Sequence, residues 1–167
     1  MMTLHRIEVE VDGDVIAAEV EGRLTLGDFL RHHAGRTGVH LGCEHGVCGA
    51  CTVSFNGDAV RSCLMLAVQA DGARIGTIQG LAEADGTLHP VQAAMQAEYG
   101  LQCGFCTPGV VMTLASVLEA EKTPSEERLR DVLSGHLCRC TGYQGMLRAA
   151  KSLAQQARAT SGAGADA

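Results

Sequence analysis

The chain has 167 residues, a net charge of −6, 46% hydrophobic residues and only 3% aromatics, with no Trp. The hydrophobic content excludes wholesale disorder, and an acidic balance without a Lys/Arg cluster excludes nucleic acid and anionic membranes as partners. Eight cysteines stand beside so few aromatics that something other than side-chain packing is expected to help hold the fold.

Met1-Met2-Thr3-Leu4-His5-Arg6 leads straight into an alternating pattern with no secretory signature, so a reducing, cytoplasmic setting is expected. In that setting cysteines serve as metal ligands or catalysts rather than disulfides. Residues 4–20 alternate apolar and polar around Asp12-Gly13, the signature of a β-hairpin. Thr25 is placed to cap a short helix running to about His33. A glycine-rich loop follows, with Gly38, Gly42, Gly46 and Gly49 among Cys43, Cys48 and Cys51. Residues 52–55, Asn56-Gly57 and Ala59-Val60 read as a second hairpin. A strand near 74–78 completes a small mixed sheet.

The character changes after Gly80. Residues 81–88 form a polar connector, and His89-Pro90 opens a helix carrying Val91, Ala94, Met95 and Ala97. Thr107-Pro108 opens a second. Thr123-Pro124-Ser125-Glu126 reads as a capping box with Pro at the first helical position, on a helix ended by Gly135. Thr141-Gly142-Tyr143-Gln144 reads as another, opening a helix to about Ala157. The pattern predicts an α+β chain: a sheet domain over residues 1–78, a four-helix bundle over 79–159 and a flexible tail over 160–167. The tail string from Gly162 to Ala167 matches a dinucleotide fingerprint in form only, without a βαβ setting. Tyr99 to Leu118 holds no charged residue. Gln102, Cys103, Cys106, Thr107, Pro108 and Gly109 interrupt it, so it reads as a buried loop and helix rather than a membrane span.

The cysteines fall four to each half. The first array is Cys43-x4-Cys48-x2-Cys51-x11-Cys63, the spacing of plant-type [2Fe–2S] proteins. A cluster of four thiolates and two sulfides is net negative, so backbone N–H groups must turn toward it, and glycine permits such paths. The second array is Cys103-x2-Cys106, then 31 residues, then Cys138-x1-Cys140. Its pairs sit at the ends of inter-helix loops, with Cys106 and Cys140 beside helix N-termini that favour thiolates. Zinc is the main rival, but a 4-2-11 array and a terminal Cys-x-Cys do not form two short pairs per site. A thioredoxin-like role for Cys48-Gly49-Ala50-Cys51 is weakened by the flanking cysteines. A Rieske centre fails for want of a second histidine beside Cys63.

The strings GCEHGVCGACTV, RSCLMLA, LQCGFCTPG and GHLCRCTGY resemble the two-cluster small subunit of the molybdenum hydroxylases. That family includes xanthine dehydrogenase, aldehyde oxidoreductases and aerobic carbon monoxide dehydrogenase. The resemblance covers roughly residues 4–157 and all eight cysteines in order. It implies a plant-type ferredoxin-like β-grasp domain followed by a four-helix bundle. Cys43, Cys48, Cys51 and Cys63 would bind a distal [2Fe–2S] cluster, and Cys103, Cys106, Cys138 and Cys140 one nearest molybdenum. It further implies that Gln102 and Cys140 contact a molybdopterin, expected in its cytosine dinucleotide form, held by a large partner subunit. FAD is expected in a medium subunit and the assembly in a dimer of heterotrimers. Electrons would run from molybdenum through the second array, then the first, to flavin, with the 42–51 loop as an exposed exit.

Weaker readings concern other residues. His32, His33 and His40 read as surface or loop-packing groups, and Met65 and Met95 as core fillers. Arg139 offers either an offset to cofactor charge or a surface salt bridge. No phosphate loop or nucleophile arrangement appears, so no substrate site of the chain's own is expected. The competing functions are a free ferredoxin-like carrier, which would need no helical half, and a zinc-stabilised interaction module.

Overall fold

Alternating burial builds the first sheet. A computed structural model describes residues 3–162. In β1 (Leu4–Val11) Ile7, Val9 and Val11 are buried while Glu8 faces out. β2 (Asp14–Glu21) returns antiparallel, with Val11 opposite Asp14. Asp12 and Gly13 between them have φ of 52° and 87°, the paired left-handed conformation of the two-residue turn that Asp-Gly predicts. Asn56 and Gly57, with φ of 52° and 100°, do the same between β3 (Thr52–Phe55) and β4 (Asp58–Arg61). β5 (Arg74–Gly76) inserts in the middle, parallel to β1 and antiparallel to β3, giving the order β2-β1-β5-β3-β4.

Helix α1 (Leu26–His32) covers one face of this sheet. Thr25 Oγ1 accepts the Asp28 N–H at 3.1 Å, as predicted. Leu26, Phe29 and Leu30 recur at helical spacing and are fully buried against Ile7, Val9, Val11, Val53 and Ile75. Each such side chain contributes about 1.5–3 kcal/mol by burial.

The helical half contains α2 (Pro90–Ala97), α3 (Thr107–Ala120), α4 (Glu126–Ser134) and α5 (Tyr143–Gly162). Its core joins Val91, Met95, Val110, Leu114, Leu129, Leu133, Met146 and Leu153. α3 is buried almost all round because it packs on β3 as well as on its own bundle. That explains its lack of charge.

Several local expectations are corrected. Pro124 precedes the cap of α4 rather than following it. Ser125 Oγ accepts the Arg128 N–H at 3.0 Å, so Glu126 takes the first helical position. Thr141 is not a cap: its φ is 56°, and the Gly142 carbonyl accepts the Met146 N–H at 3.2 Å to start α5. The loop before α3 is exposed, not buried, with Tyr99 at 82% exposure and Leu101 and Phe105 near half. α5 runs on to Gly162, past the expected start of the tail at Thr160, and residues 163–167 lie outside the described residues. Among the described residues no helix is long and apolar enough to cross a membrane.

A buried ion pair ties the β1–β2 turn to the end of the sheet half. Asp12, 6% exposed at its side chain, accepts from Arg36 Nε at 2.8 Å. It also accepts from the Thr77 backbone N–H at 2.6 Å and the Thr77 hydroxyl at 2.7 Å. Asp14 binds the other arm of Arg36 at 2.6 Å. Losing Asp12 leaves the Thr77 N–H and hydroxyl without their acceptor, while Arg36 keeps Asp14. Asp12→Ala is therefore expected to cost about 1–3 kcal/mol. Asp12→Asn, which keeps the left-handed turn, should cost less, with both read from chemical unfolding of the iron-loaded protein.

Candidate metal centres

The first array is gathered by one loop and the second hairpin. Residues 42–51 make a tight path in which Glu44, Gly46 and Gly49 have φ of 56°, 84° and 79°. The path turns backbone N–H groups onto Cys43, including that of Cys48 at 3.3 Å from its Sγ. The N–H groups of His45, Cys48 and Val47 together hold the Cys43 thiol down at about 6. Cys51 ends the loop, and the β3–β4 hairpin returns the chain to Cys63, with Ser62 N–H donating to the Cys51 carbonyl at 3.3 Å. Cys63 lies buried against Cys51, and burial pushes its thiol up to about 11. Cys43 and Cys48 thus form one thiol pair and Cys51 and Cys63 another, with Cys43 close enough to act electrostatically on Cys63.

The second array repeats this arrangement on helix ends. Cys106 is the N-cap residue of α3, and Cys103 lies exposed in the loop before it. Cys138 and Cys140 lie in the turn between α4 and α5. There the Gly142 N–H points at Cys138 Sγ at 3.3 Å, and Tyr143 Oη accepts the Cys138 N–H at 2.8 Å. The pairs are Cys103 with Cys140 and Cys106 with Cys138. The Phe105 N–H lowers the Cys103 thiol, whereas burial pushes Cys106 up to about 12. The helix end alone does not ionise Cys106; burial outweighs it.

These residues fit a [2Fe–2S] cluster better than zinc. Each iron of a [2Fe–2S] cluster takes two thiolates and completes its shell with sulfide, and each array offers two thiol pairs. The buried thiols lose their protons only when a metal cation replaces them, which couples cluster binding to folding.

The two arrays meet. Leu137 N–H donates to the Cys48 carbonyl at 3.0 Å, and His40 Nδ1 lies 2.8 Å from the Phe105 carbonyl. The His40 and Phe105 rings stack at 4.8 Å, so His40 is a contact between the halves rather than a surface group. Arg61 on β4 reaches the Gly135 carbonyl at 2.9 Å and also bonds Thr52 Oγ1. Gly109 in α3 lies against Gly49 and Ala50: a methyl added there would overlap the Gly49 carbonyl and come 3.0 Å from Ala50 Cα. The 42–51 loop therefore has two faces. Glu44, His45 and Val47 are exposed, while Ala50 and Cys51 are buried, so only part of it can serve as an exit. Gln102 is exposed beside Gly142, with no hydrogen bond among the described residues. Arg139 is exposed and makes no salt bridge among them. Met95 lies in the bundle core and Met65 at the edge of the sheet core, as expected of fillers.

Comparison with known proteins agrees with this geometry. A family model described as "2Fe-2S iron-sulfur cluster binding domain" matches residues 9–82, and one described as "[2Fe-2S] binding domain" matches residues 77–151. The gamma subunit of caffeine dehydrogenase from Pseudomonas sp. (strain CBB1) is 51% identical over 91% of this chain and 92% of its own. The small subunit of nicotine 6-hydroxylase from Paenarthrobacter nicotinovorans is 51% identical over 86% of each chain. The crystal structure of quinoline 2-oxidoreductase from Pseudomonas putida 86 superposes with a TM-score of 0.85 at 43% identity, over 93% of this chain and 96% of that one. The chain belongs to the small iron–sulfur subunits of the molybdenum hydroxylases. It is an electron-transfer subunit of an oxidoreductase rather than a free ferredoxin, and its fold is the ferredoxin-like α+β arrangement the family implies.

Sequence reading missed Gly109, Tyr143 and His136. The available signal for Gly109 was a glycine inside an otherwise strong apolar helix, which marks close approach of another backbone. Glycine to alanine in a helix normally stabilises by about 1 kcal/mol. Here the sign reverses: Gly109→Ala is expected to cost about 1–3 kcal/mol through overpacking. At this chain length that is about 2–4 °C of thermal midpoint per kcal/mol, read by calorimetry of the loaded protein.

Proposed function

We propose that this chain carries electrons between a large molybdenum-cofactor subunit and a medium FAD subunit, as the relay of a cytoplasmic dimer of heterotrimers. Cys43, Cys48, Cys51 and Cys63 hold one [2Fe–2S] cluster, and Cys103, Cys106, Cys138 and Cys140 hold the other. Each cluster, when bound, stores one electron at a time. The division into a sheet domain at 1–78 and a helical domain at 79–159 follows, one cluster to each. The observation that carries the reading is the pair of arrays, each with two thiol pairs, seated against one another.

The residues on each face support a direction. Exposed Gln102 beside the Cys138–Gly142 turn, with exposed Cys103 and apolar Tyr99, Leu101 and Phe105 around it, is the face for the large subunit. Gln102 and Cys140 there contact the molybdopterin, in its cytosine dinucleotide form. Val47 and Leu64, both more than half exposed, flank the opposite array and form the face for the FAD subunit. The apolar side chains exclude water at each contact, and the N–H groups aimed at Cys43 and Cys138 offset thiolate charge. Caffeine, nicotine and quinoline are nitrogen heterocycles, which supports that substrate class for the assembled enzyme.

Two measurements check this. The purified complex is expected to hold about four irons in this chain, with two distinct reduced-state EPR signals. About two irons, or a colourless zinc–thiolate protein, defeats the assignment. Gln102→Ala is expected to leave iron content unchanged and slow reduction of the nearer cluster by about tenfold. Unchanged reduction and unchanged pterin retention would remove Gln102 from the cofactor face.

A further inference from the structure

His136 is a buried polar side chain that the proposed function leaves unused. It is 2% exposed. Its Nε2 lies 2.8 Å from Thr113 Oγ1 on α3. Its Nδ1 is buried without a hydrogen-bond partner among the described residues. A histidine in such a place costs more than an apolar residue of similar size. The ring therefore does something that bulk alone does not require.

What it touches is informative. The far side of the ring faces Gly49, where an added methyl would meet His136 Cε1 at 2.8 Å and the Gly135 carbonyl at 2.9 Å. Gly49 follows Cys48 directly and precedes Cys51 by two residues, and its φ of 79° shapes that part of the loop. On the other side the backbone of His136 leads through Leu137 to Cys138. Leu137 N–H holds the Cys48 carbonyl at 3.0 Å. The Tyr143 hydroxyl, which accepts the Cys138 N–H, lies 3.4 Å from the His136 carbonyl. One residue thus spans α3, the loop of the first array and the turn of the second. Thr113 anchors one end of the ring, and the glycine backbone receives the other.

We infer that His136 is a positioning residue that sets the separation of the two arrays, its ring filling the space between Thr113 and Gly49 and so seating the Cys48–Cys51 segment on the Cys138 turn. The inference rests on the reading that both arrays hold [2Fe–2S] clusters. Electron exchange between two centres falls steeply with separation, so a fixed spacer matters more to transfer than to ligation. His136 is not one of the eight cysteines, and its replacement leaves all of them in the chain.

The test uses the assembled enzyme in the fully reduced state, where each cluster is paramagnetic and the magnetic interaction between them reports their separation. The unsubstituted enzyme should show two EPR signals with mutual splitting at low temperature. His136→Ala should keep the iron content of the parent and lose the resolved splitting, because the segment no longer has one position. His136→Phe, which fills the space but cannot bond Thr113 Oγ1, should alter it in the same sense as loss of that anchor. Unchanged splitting in His136→Ala at full iron content, even with a lowered melting point, would overturn the inference and leave a packing role. Where His136→Ala fails to hold iron, Thr113→Val decides: it removes the anchor and keeps the volume. Altered splitting in that variant supports the inference, and unaltered splitting overturns it. Absence of two cluster signals from the parent enzyme instead overturns the reading of the arrays on which the inference rests.

Discussion

The close approach of Gly49 to Gly109 and His136 is the constraint on which both metal arrays depend. A loop that carries three thiols is pressed backbone to backbone onto the start of α3, and no side chain at either glycine would permit it. Once that contact is made, α3 has a sheet on one side and a bundle on the other. Its sequence must then be apolar all round, and from Val110 to Ala115 every residue is buried. The same contact puts Cys48 next to Leu137, so neither array is independent of the other's loop. The hairpin turns, the α1 cap and the Asp12–Arg36 pair then serve to hold the sheet in the one position where that loop can dock.

The thiols divide the electrostatic work the same way in each array. One member, Cys43 or Cys103, sits near solvent with N–H groups aimed at it and is held below the ordinary thiol range. Another, Cys63 or Cys106, is buried and held above it. The first kind is ready to bind a cation and the second is not until one arrives. Burial that opposes ionisation in the bare protein then becomes an asset. A thiolate with no water around it has the metal as its main source of charge compensation, and the low local dielectric strengthens that bond.

Much of this was legible from residue order. Asp12-Gly13 and Asn56-Gly57 dictate their turns because only those residue types accept two successive positive φ values cheaply. The cysteine spacing declares its chemistry because ligand loops tolerate few lengths. What was not legible depends on contacts between distant segments. The uncharged run from Tyr99 looks uniformly buried, yet its first residues are exposed and only α3 is enclosed. Thr141 fits a capping pattern, but the Gly142 N–H is drawn to Cys138 and the turn closes differently. His40 and His136 carry no local signature at all. Their partners, Phe105 and Gly49, lie 65 and 87 positions away in sequence, so only the folded chain brings them together.

The exposed apolar side chains have a consequence for the life of the chain before assembly. Val47, Leu64, Tyr99, Leu101, Phe105 and Leu137 each leave more than 40% of their surface in water, clustered around the two metal-binding loops. Surface of that kind on a monomer invites self-association. A subunit made in excess over its partners is therefore a solubility hazard, and the cell is best served by synthesising all the subunits in matched amounts and joining them promptly. The greasy rim proposed for the partner contacts is the same feature that makes the orphaned subunit sticky.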